Sequence, residues 1–524
     1  MSRRAASHAE GRRRAGLLLP LFALRSAHDW GIGEIGDLPA LATFAAAAGH
    51  RLLQLLPIHE MPAGERSPYA ALSAFALDPI YVSMAAVEDF VAAGGEAALA
   101  PDERARLTQA RAATAPEYDH VRTLKRRALE IAFARFLTEW RADSTRARVF
   151  RRFREAEASW LADYALYRAC QERRGGRGAD AREPTPRDAA PATLAALRAA
   201  TEEARLFHEY VQWLAAEQWA GAHRAAAAAG VCLKGDLPFM VSRHSADLWA
   251  HQDQFATDAG IGAPPDAFNA KGQDWGLPAY RWEVMARDGY AWLRGRVAHA
   301  AALFDALRVD HVVGLYRMYV LASGRPPEFV PATTAEQLAR GERLLTVIRE
   351  AAGATEVIGE DLGSVPDYVR RSLARLGVPG YCVLRWEHAG AVFRDPATYP
   401  VDSVATSGTH DTSSLATWWE SELDDAGRRG LAATPGFASL SKTQPTFTAT
   451  VHAALLDGLY AAASDLVVIP FPDAYGGRER INTPATVGRD NWAYRLPWTI
   501  EELAGKSGRA LRDGLAALAA RHGR

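Results

Sequence analysis

The chain is poor in cysteine: Cys170, Cys232 and Cys382 are the only three in 524 residues, and they lie far apart. That spacing excludes a disulfide framework and a cysteine-based zinc site, and it fits a reducing compartment. An excess of either charge is also missing. Lys and Arg number 61 against 62 Asp and Glu, for a net charge of -1. Such a balance offers no electrostatic footprint for nucleic acid or an anionic membrane, and it suits a small neutral substrate. No apolar run is long enough to cross a bilayer. The apolar run from Leu17 to Leu24 follows an arginine-rich start, but it is short, Pro20 interrupts it, and no small-residue cleavage site follows. Residues 1–16 are therefore expected to be a disordered basic tail, not an export signal, and the cytoplasm is the expected location. No tandem repeat is present.

What the chain does have is apolar bulk. Hydrophobic residues make up 48% of it, enough for a sizeable core. The length suits one large α/β barrel with insertions, or two to three ordinary domains. Apolar runs recur at Leu17–Phe22, Leu52–Pro57, Val231–Asp236, Leu307–Val312, Val357–Glu360, Tyr381–Trp386, Ser403–Ser407 and Leu466–Pro470. Helical patterns such as Asp37–Ala48 and Asp367–Leu376 lie between them. Strand then helix, repeated eight times, is the pattern of a (β/α)8 barrel, whose sites sit at the carboxyl ends of the strands.

The barrel is expected to occupy 17–77 and 231–524, with further loop insertions in the second part. The stretch between, 78–230, reads as a mostly helical insertion, with helical spacing over Val121–Trp140 and Arg152–Glu172. Gly175–Arg187 carries Gly, Arg and Pro and reads as an exposed loop. Two motifs are decoys. Gly31-Ile32-Gly33-Glu34-Ile35-Gly36 matches a dinucleotide fingerprint, but Arg25–Trp30 separate it from the preceding strand and the next strand ends in neither Asp nor Glu. A barrel loop leading into a capped helix explains it better. Ser439-Leu440-Ser441-Lys442 matches S-x-x-K without companion motifs and reads as loop.

The charged residues gather where strands should end. Side chains alternate along a strand, so in Leu307-Arg308-Val309-Asp310 the arginine and the aspartate share one face. A neighbouring guanidinium holds such a carboxylate ionised, as a nucleophile or charge stabiliser requires; a structural ion pair is the plainer alternative. Glu360 ends the next candidate strand, and Asp411 follows Thr406-Ser407-Gly408-Thr409-His410. Glycoside chemistry needs two carboxyl groups in different protonation states. Asp310 beside Arg308 suits the ionised one. Glu360 suits the acid, if a nearby carboxylate raises its pKa. Asp411 would then hold substrate hydroxyls, with His311 and His410 placed to donate to sugar oxygens, although either histidine alone could be an ordinary core residue. For Asp361 the plainer alternative is a salt bridge to a nearby arginine. Sugars present flat apolar faces that aromatic rings match. Gly272–Trp282, read as a Gly/Pro-punctuated loop, carries three rings, and Ser67-Pro68-Tyr69 offers another.

These residues resemble the amylomaltases, the 4-α-glucanotransferases or disproportionating enzymes of glycoside hydrolase family 77. The matching stretches run nearly end to end. They include Gly31-Ile32-Gly33, Ser67-Pro68-Tyr69, Gly235-Asp236-Leu237-Pro238, Gly262-Ala263-Pro264-Pro265-Asp266, Trp275-Gly276-Leu277-Pro278, Arg308-Val309-Asp310-His311, Glu360-Asp361-Leu362-Gly363, Gly408-Thr409-His410-Asp411, Asn482-Thr483-Pro484 and Asn491-Trp492. The resemblance implies a retaining mechanism with no metal or organic cofactor. It implies Asp310 as nucleophile, Glu360 as acid/base and Asp411 as transition-state stabiliser. Tyr69 and Trp275 match sugar platforms; Ser67, Arg308, Asp361 and His410 match substrate or site-ordering contacts. The implied substrates are α-1,4-glucans and malto-oligosaccharides, with glucose as an acceptor. The chain departs from the family pattern at Val312-Val313, where an aromatic and an arginine are usual, at Thr412-Ser413-Ser414 and at Phe471-Pro472-Asp473. A plain α-glucan hydrolase, a silent glucan-binding protein and a nicotinamide oxidoreductase are the alternatives; the three acids argue against the second, and only the early glycines support the third.

Overall fold

A computed structural model of the chain describes residues 13–175, 190–265, 272–440 and 444–524. At its centre lie eight strands: β1 (Arg14–Leu18), β2 (Leu52–Gln54), β3 (Cys232–Leu237), β4 (Ala306–Val309), β5 (Glu356–Gly359), β6 (Gly380–Val383), β7 (Ser403–Thr406) and β8 (Leu466–Pro470). All ladders between them are parallel, in the order β6-β7-β8-β1-β2-β3-β4-β5. This is a nearly closed (β/α)8 barrel ringed by helices. Each strand lies inside or beside one of the eight apolar runs, because strands covered on both faces need apolar side chains on both. The last join, β5 to β6, has no ladder. It is made instead by the Gly359 amide donating to Pro379 O at 2.9 Å and the Tyr381 amide donating to the Asp361 carboxylate at 2.7 Å. Gly380 permits this: a Cβ there would lie 2.6 Å from the Asp361 oxygens.

The first strand begins earlier than expected. Arg14, Ala15 and Gly16 pair with Leu466, Val467 and Val468, so the tail cannot extend to residue 16; residues 1–12 lie outside the described ones. Arg14 can start a buried strand because its guanidinium reaches the barrel's amino end and pairs with Glu356 at 2.7 Å. Pro20 then turns the chain, and Leu21–Ala23 form a 3-10 turn where strand had been expected.

Between residue 78 and β3 the described residues are mostly helical, with long helices at Tyr118–Arg141 and Glu202–Ala228. The helix expected over Arg152–Glu172 is two, Thr145–Ala156 and Ala158–Arg173, broken at Glu157 (φ -97°, ψ 9°). Most of the loop expected at Gly175–Arg187 lies outside the described residues, as do Asp266, Ser441 and Lys442. These helices grip the barrel's loops. Arg122 pairs with buried Asp78 at 3.1 Å and donates to Met61 O at 3.1 Å, Arg168 lies 3.3 Å from buried Glu60, and Lys125 pairs with Glu34 at 2.7 Å. The Gly31–Gly36 stretch is a loop packed on Leu21, followed by the helix Leu38–Ala47.

A second sheet stands at the barrel's mouth. Its antiparallel strands run Gln273–Tyr280, Phe255–Ala263, Met318–Ala322 and Glu328–Val330 in spatial order. The loop expected over Gly272–Trp282 is thus mostly strand. Neighbouring Ile261 and Gly262 pair with Leu277 and Asp274, so Trp275 and Gly276 bulge out and break the two-residue alternation by which a strand is recognised.

Candidate active site

The register of the barrel brings the acids together. β3 and β4 pair Asp236 with Arg308, and β4 and β5 pair Val309 with Gly359. The next residues, Asp310 and Glu360, therefore leave adjacent strands at one level. Backbone bonds fix that level: Asp310 N donates to Leu237 O at 3.1 Å and Glu360 N to Val309 O at 2.9 Å.

One guanidinium ties the group. Arg308, almost wholly buried, donates through Nη1 to both oxygens of Asp236 at 2.7 Å and to Asp310 Oδ1 at 2.9 Å, while its Nη2 lies 3.9 Å from Glu360 Oε2. Asp310 Oδ2 accepts from the Phe239 amide at 3.3 Å. The structural ion pair that Arg308 makes is chiefly with Asp236, whose carboxylate has no other exposure; Asp310 is the more open partner, its side chain 22% exposed against 0%. Asp236 also accepts from the Tyr69 hydroxyl at 2.7 Å.

Glu360 is the acid with the displaced proton affinity. Burial pushes its carboxyl up from 4.5 to about 8; Arg308 and the His311 amide oppose the rise and the Asp310 carboxylate adds to it. The carboxylate neighbour expected to do this is thus the lesser cause, behind loss of water. Glu360 Oε2 accepts from the His311 amide at 2.8 Å and Oε1 from the Leu362 amide at 3.3 Å. His311 can aim its amide there because it sits at φ +45°, a left-handed conformation uncommon outside glycine.

His311 and Trp275 meet as a pair. Their rings are edge to face, with centroids 4.8 Å apart, and Phe239 also packs against the histidine at 5.5 Å. Burial pushes the His311 imidazole down to about 4, so it is neutral at pH 7. In a second cluster Tyr69 stacks on His410 at 5.2 Å and 18°, and the Trp492 ring centroid lies 5.9 Å from both. Asp411 is the most open of the three acids, 40% exposed; its Oδ2 lies 3.4 Å from His410 Nε2 and its Oδ1 accepts from Asn482 Nδ2 at 2.6 Å. Ser67 stands two residues before Tyr69, its hydroxyl accepting the Tyr69 amide at 3.4 Å.

Asp361 is the one candidate turned elsewhere. Its carboxylate takes the Tyr381 amide and lies 3.7 Å from Arg370, and burial pushes it up to about 6. The arginine salt bridge weighed as its plainer role is therefore present. Three contributors, Asp236, Asn482 and Trp492, lie in stretches that carry the resemblance but have no role assigned from sequence. Asp236 did carry a signal, since it too ends an apolar run. Among the described residues no group of three or more His, Cys, Asp or Glu side chains is placed to hold a metal ion, and no helix is long and apolar enough to cross a membrane.

Comparison with known proteins points one way. A family model described as 4-alpha-glucanotransferase matches residues 19–500. The 4-alpha-glucanotransferase of Chlamydia caviae is 30% identical over 508 residues, covering 93% of this chain and 91% of that protein. That of Thermus thermophilus is 32% identical over 498 residues, covering 92% and 94%. Among solved structures, an amylomaltase from Streptococcus agalactiae in complex with acarbose superposes with a TM-score of 0.80 at 24% identity, covering 98% of this chain and 99% of that one. An amylomaltase from Corynebacterium glutamicum gives 0.78 at 25% identity, covering 97% and 75%.

Proposed function

Since the chain belongs to the 4-alpha-glucanotransferase family, we propose that it moves α-1,4-glucan segments from a donor to an acceptor glucan or glucose through a covalent glycosyl-enzyme intermediate. Asp310 attacks the anomeric carbon while Glu360, protonated, gives its proton to the departing sugar oxygen as the glycosidic bond breaks. The shortened donor leaves. An acceptor hydroxyl then loses its proton to Glu360 and attacks the same carbon, and Asp310 is released. Asp411 holds ring hydroxyls of the distorted sugar. Tyr69 and Trp275 supply platforms, Ser67, His311 and His410 order the donor, Arg308 binds and orients Asp310, and Asp361 orders the backbone beside Glu360.

The observation that carries this is the sharing of Arg308. One guanidinium touches Asp310 and lies within 4 Å of an acid whose carboxyl burial keeps protonated near neutral pH. A buried, protonated carboxyl beside a second, more open one is what a two-step displacement needs. Residues 78–230 act as a scaffold for the loop that carries Ser67 and Tyr69. The three unpaired cysteines fit work in the cytoplasm.

Maltotriose tests the proposal. Purified protein should convert it to a ladder of longer oligosaccharides plus glucose. Products that are only shorter, with steadily rising reducing ends, would make it a hydrolase. No change would leave a binder or a different substrate.

A further inference from the structure

The three acids are not held alike. Asp310 takes the Phe239 amide and Glu360 takes the His311 amide, each from backbone beside an adjoining strand. Among the described residues, none donates a backbone amide to the Asp411 carboxylate; its own amide goes to Thr409 Oγ1 at 3.2 Å. Its closest side-chain donor comes from the chain beyond β8, 71 residues on: Asn482 Nδ2, at 2.6 Å from Oδ1. Two further bonds bind the same two segments: Asn482 N donates to His410 O at 3.0 Å and Arg480 Nη2 to Asp411 O at 2.7 Å, while Arg480 Nε, donating to Asn482 O at 2.7 Å, braces the second segment on itself. Asn482 is 8% exposed, so its amide is fixed where Asp411, much more open, is not fixed by burial.

We propose that Asn482 is a positioning residue for the reaction: its carboxamide occupies Oδ1 of Asp411 and so presents Oδ2 to the sugar hydroxyls. This rests on the role given to Asp411 above. An amide N–H on a carboxylate is a charge-assisted bond with a set direction. Without it, a carboxylate this open samples other rotamers, and the transition state must gather it in again. Ground-state binding, spread over the aromatic platforms, depends less on that one oxygen. The loss should therefore fall on kcat more than on KM.

Asn482→Ala keeps the backbone bond to His410 and removes only the amide. It should lower kcat with maltotriose by about tenfold to a hundredfold, with KM moved much less. Asn482→Asp is the sharper variant. At high pH it sets two carboxylates against each other. As pH falls they share a proton, and the new acid can donate to Oδ1 as the amide did. Its kcat relative to the unaltered chain should rise as pH drops below about 6, a response that a merely structural role would not give. Asn482→Ala within twofold of the unaltered kcat, or Asn482→Asp with an unchanged pH profile, overturns the proposal. Asp411→Asn run in parallel separates the two ideas. If it turns over freely, the role of Asp411 itself falls; if it is inactive while Asn482→Ala is not impaired, only the positioning role does. Circular dichroism melts of each variant check that the fold persists.

Discussion

The two ends of the barrel treat charge differently. At the amino end, Arg14 and Glu356 pair across β1 and β5 at 2.7 Å while 27% and 38% exposed, and His223 and Asp305 meet at 3.0 Å with similar exposure. Water still screens these groups, and their pairing is worth little. At the carboxyl end, Arg308 and Asp236 are 6% and 0% exposed and Glu360 13%. There the charges have lost water, depend on each other, and carry a displaced proton affinity. An arrangement that is costly to bury, yet kept, is the mark of chemistry, whereas the screened pairs only finish the strand ends.

Asp310→Asn should break the contrast most severely. It keeps the shape but removes the charge proposed to attack and one of the two acceptor oxygens, and glucan transfer should fall by at least about 10^4-fold while circular dichroism shows the fold retained. Substantial residual turnover would take Asp310 out of the attacking role. Next comes Arg308→Met, which strands Asp236 without its cation. Urea unfolding should show a loss of about 3–5 kcal/mol, together with lost activity. A change under about 1 kcal/mol would mean that the carboxyl-end charges are as loosely held as those at the other end.

The pH dependence is a smaller effect with a defined sign. Glu360 must be protonated to act as acid, so kcat/KM should decline on the alkaline side as pH rises through about 8, by about tenfold per unit beyond it. Because its folded value lies above 4.5, the folded chain holds the proton more tightly. On this residue's account, stability declines as pH climbs from about 4.5 to about 8. An alkaline limb that starts at pH 6 would show Glu360 to be ionised already. The smallest effect belongs to the amino end: a double-mutant cycle of Arg14→Ala and Glu356→Ala should give a coupling of about 0–1 kcal/mol, shrinking in salt.

Much of the barrel was legible because parallel strands buried on both faces need unbroken apolar runs, and the acids stood out because they punctuate those runs. Asp310 and Glu360 could be placed together from that alone. The rest failed for local reasons. Pro20 and the small residues Ala15 and Gly16 hid the true start of β1. Glycines and register shifts disguised the strand around Trp275 as a loop. The duty of Asp236 depends on a partner 72 residues away, and that of Asn482 on one 71 residues back, separations that no periodicity records. The turned backbone of His311, which aims its amide at Glu360, leaves no trace in residue type.

The join between β5 and β6 has a consequence for how this molecule fails. A hoop closed by a rivet opens at the rivet, and here the rivet is the residue after Glu360. Parting Tyr381 from Asp361 would swing Glu360 away from Asp310 before the remaining strands separate. Gentle warming should therefore silence turnover while most of the secondary structure survives, with the amide of Tyr381 among the first in the barrel to exchange with solvent.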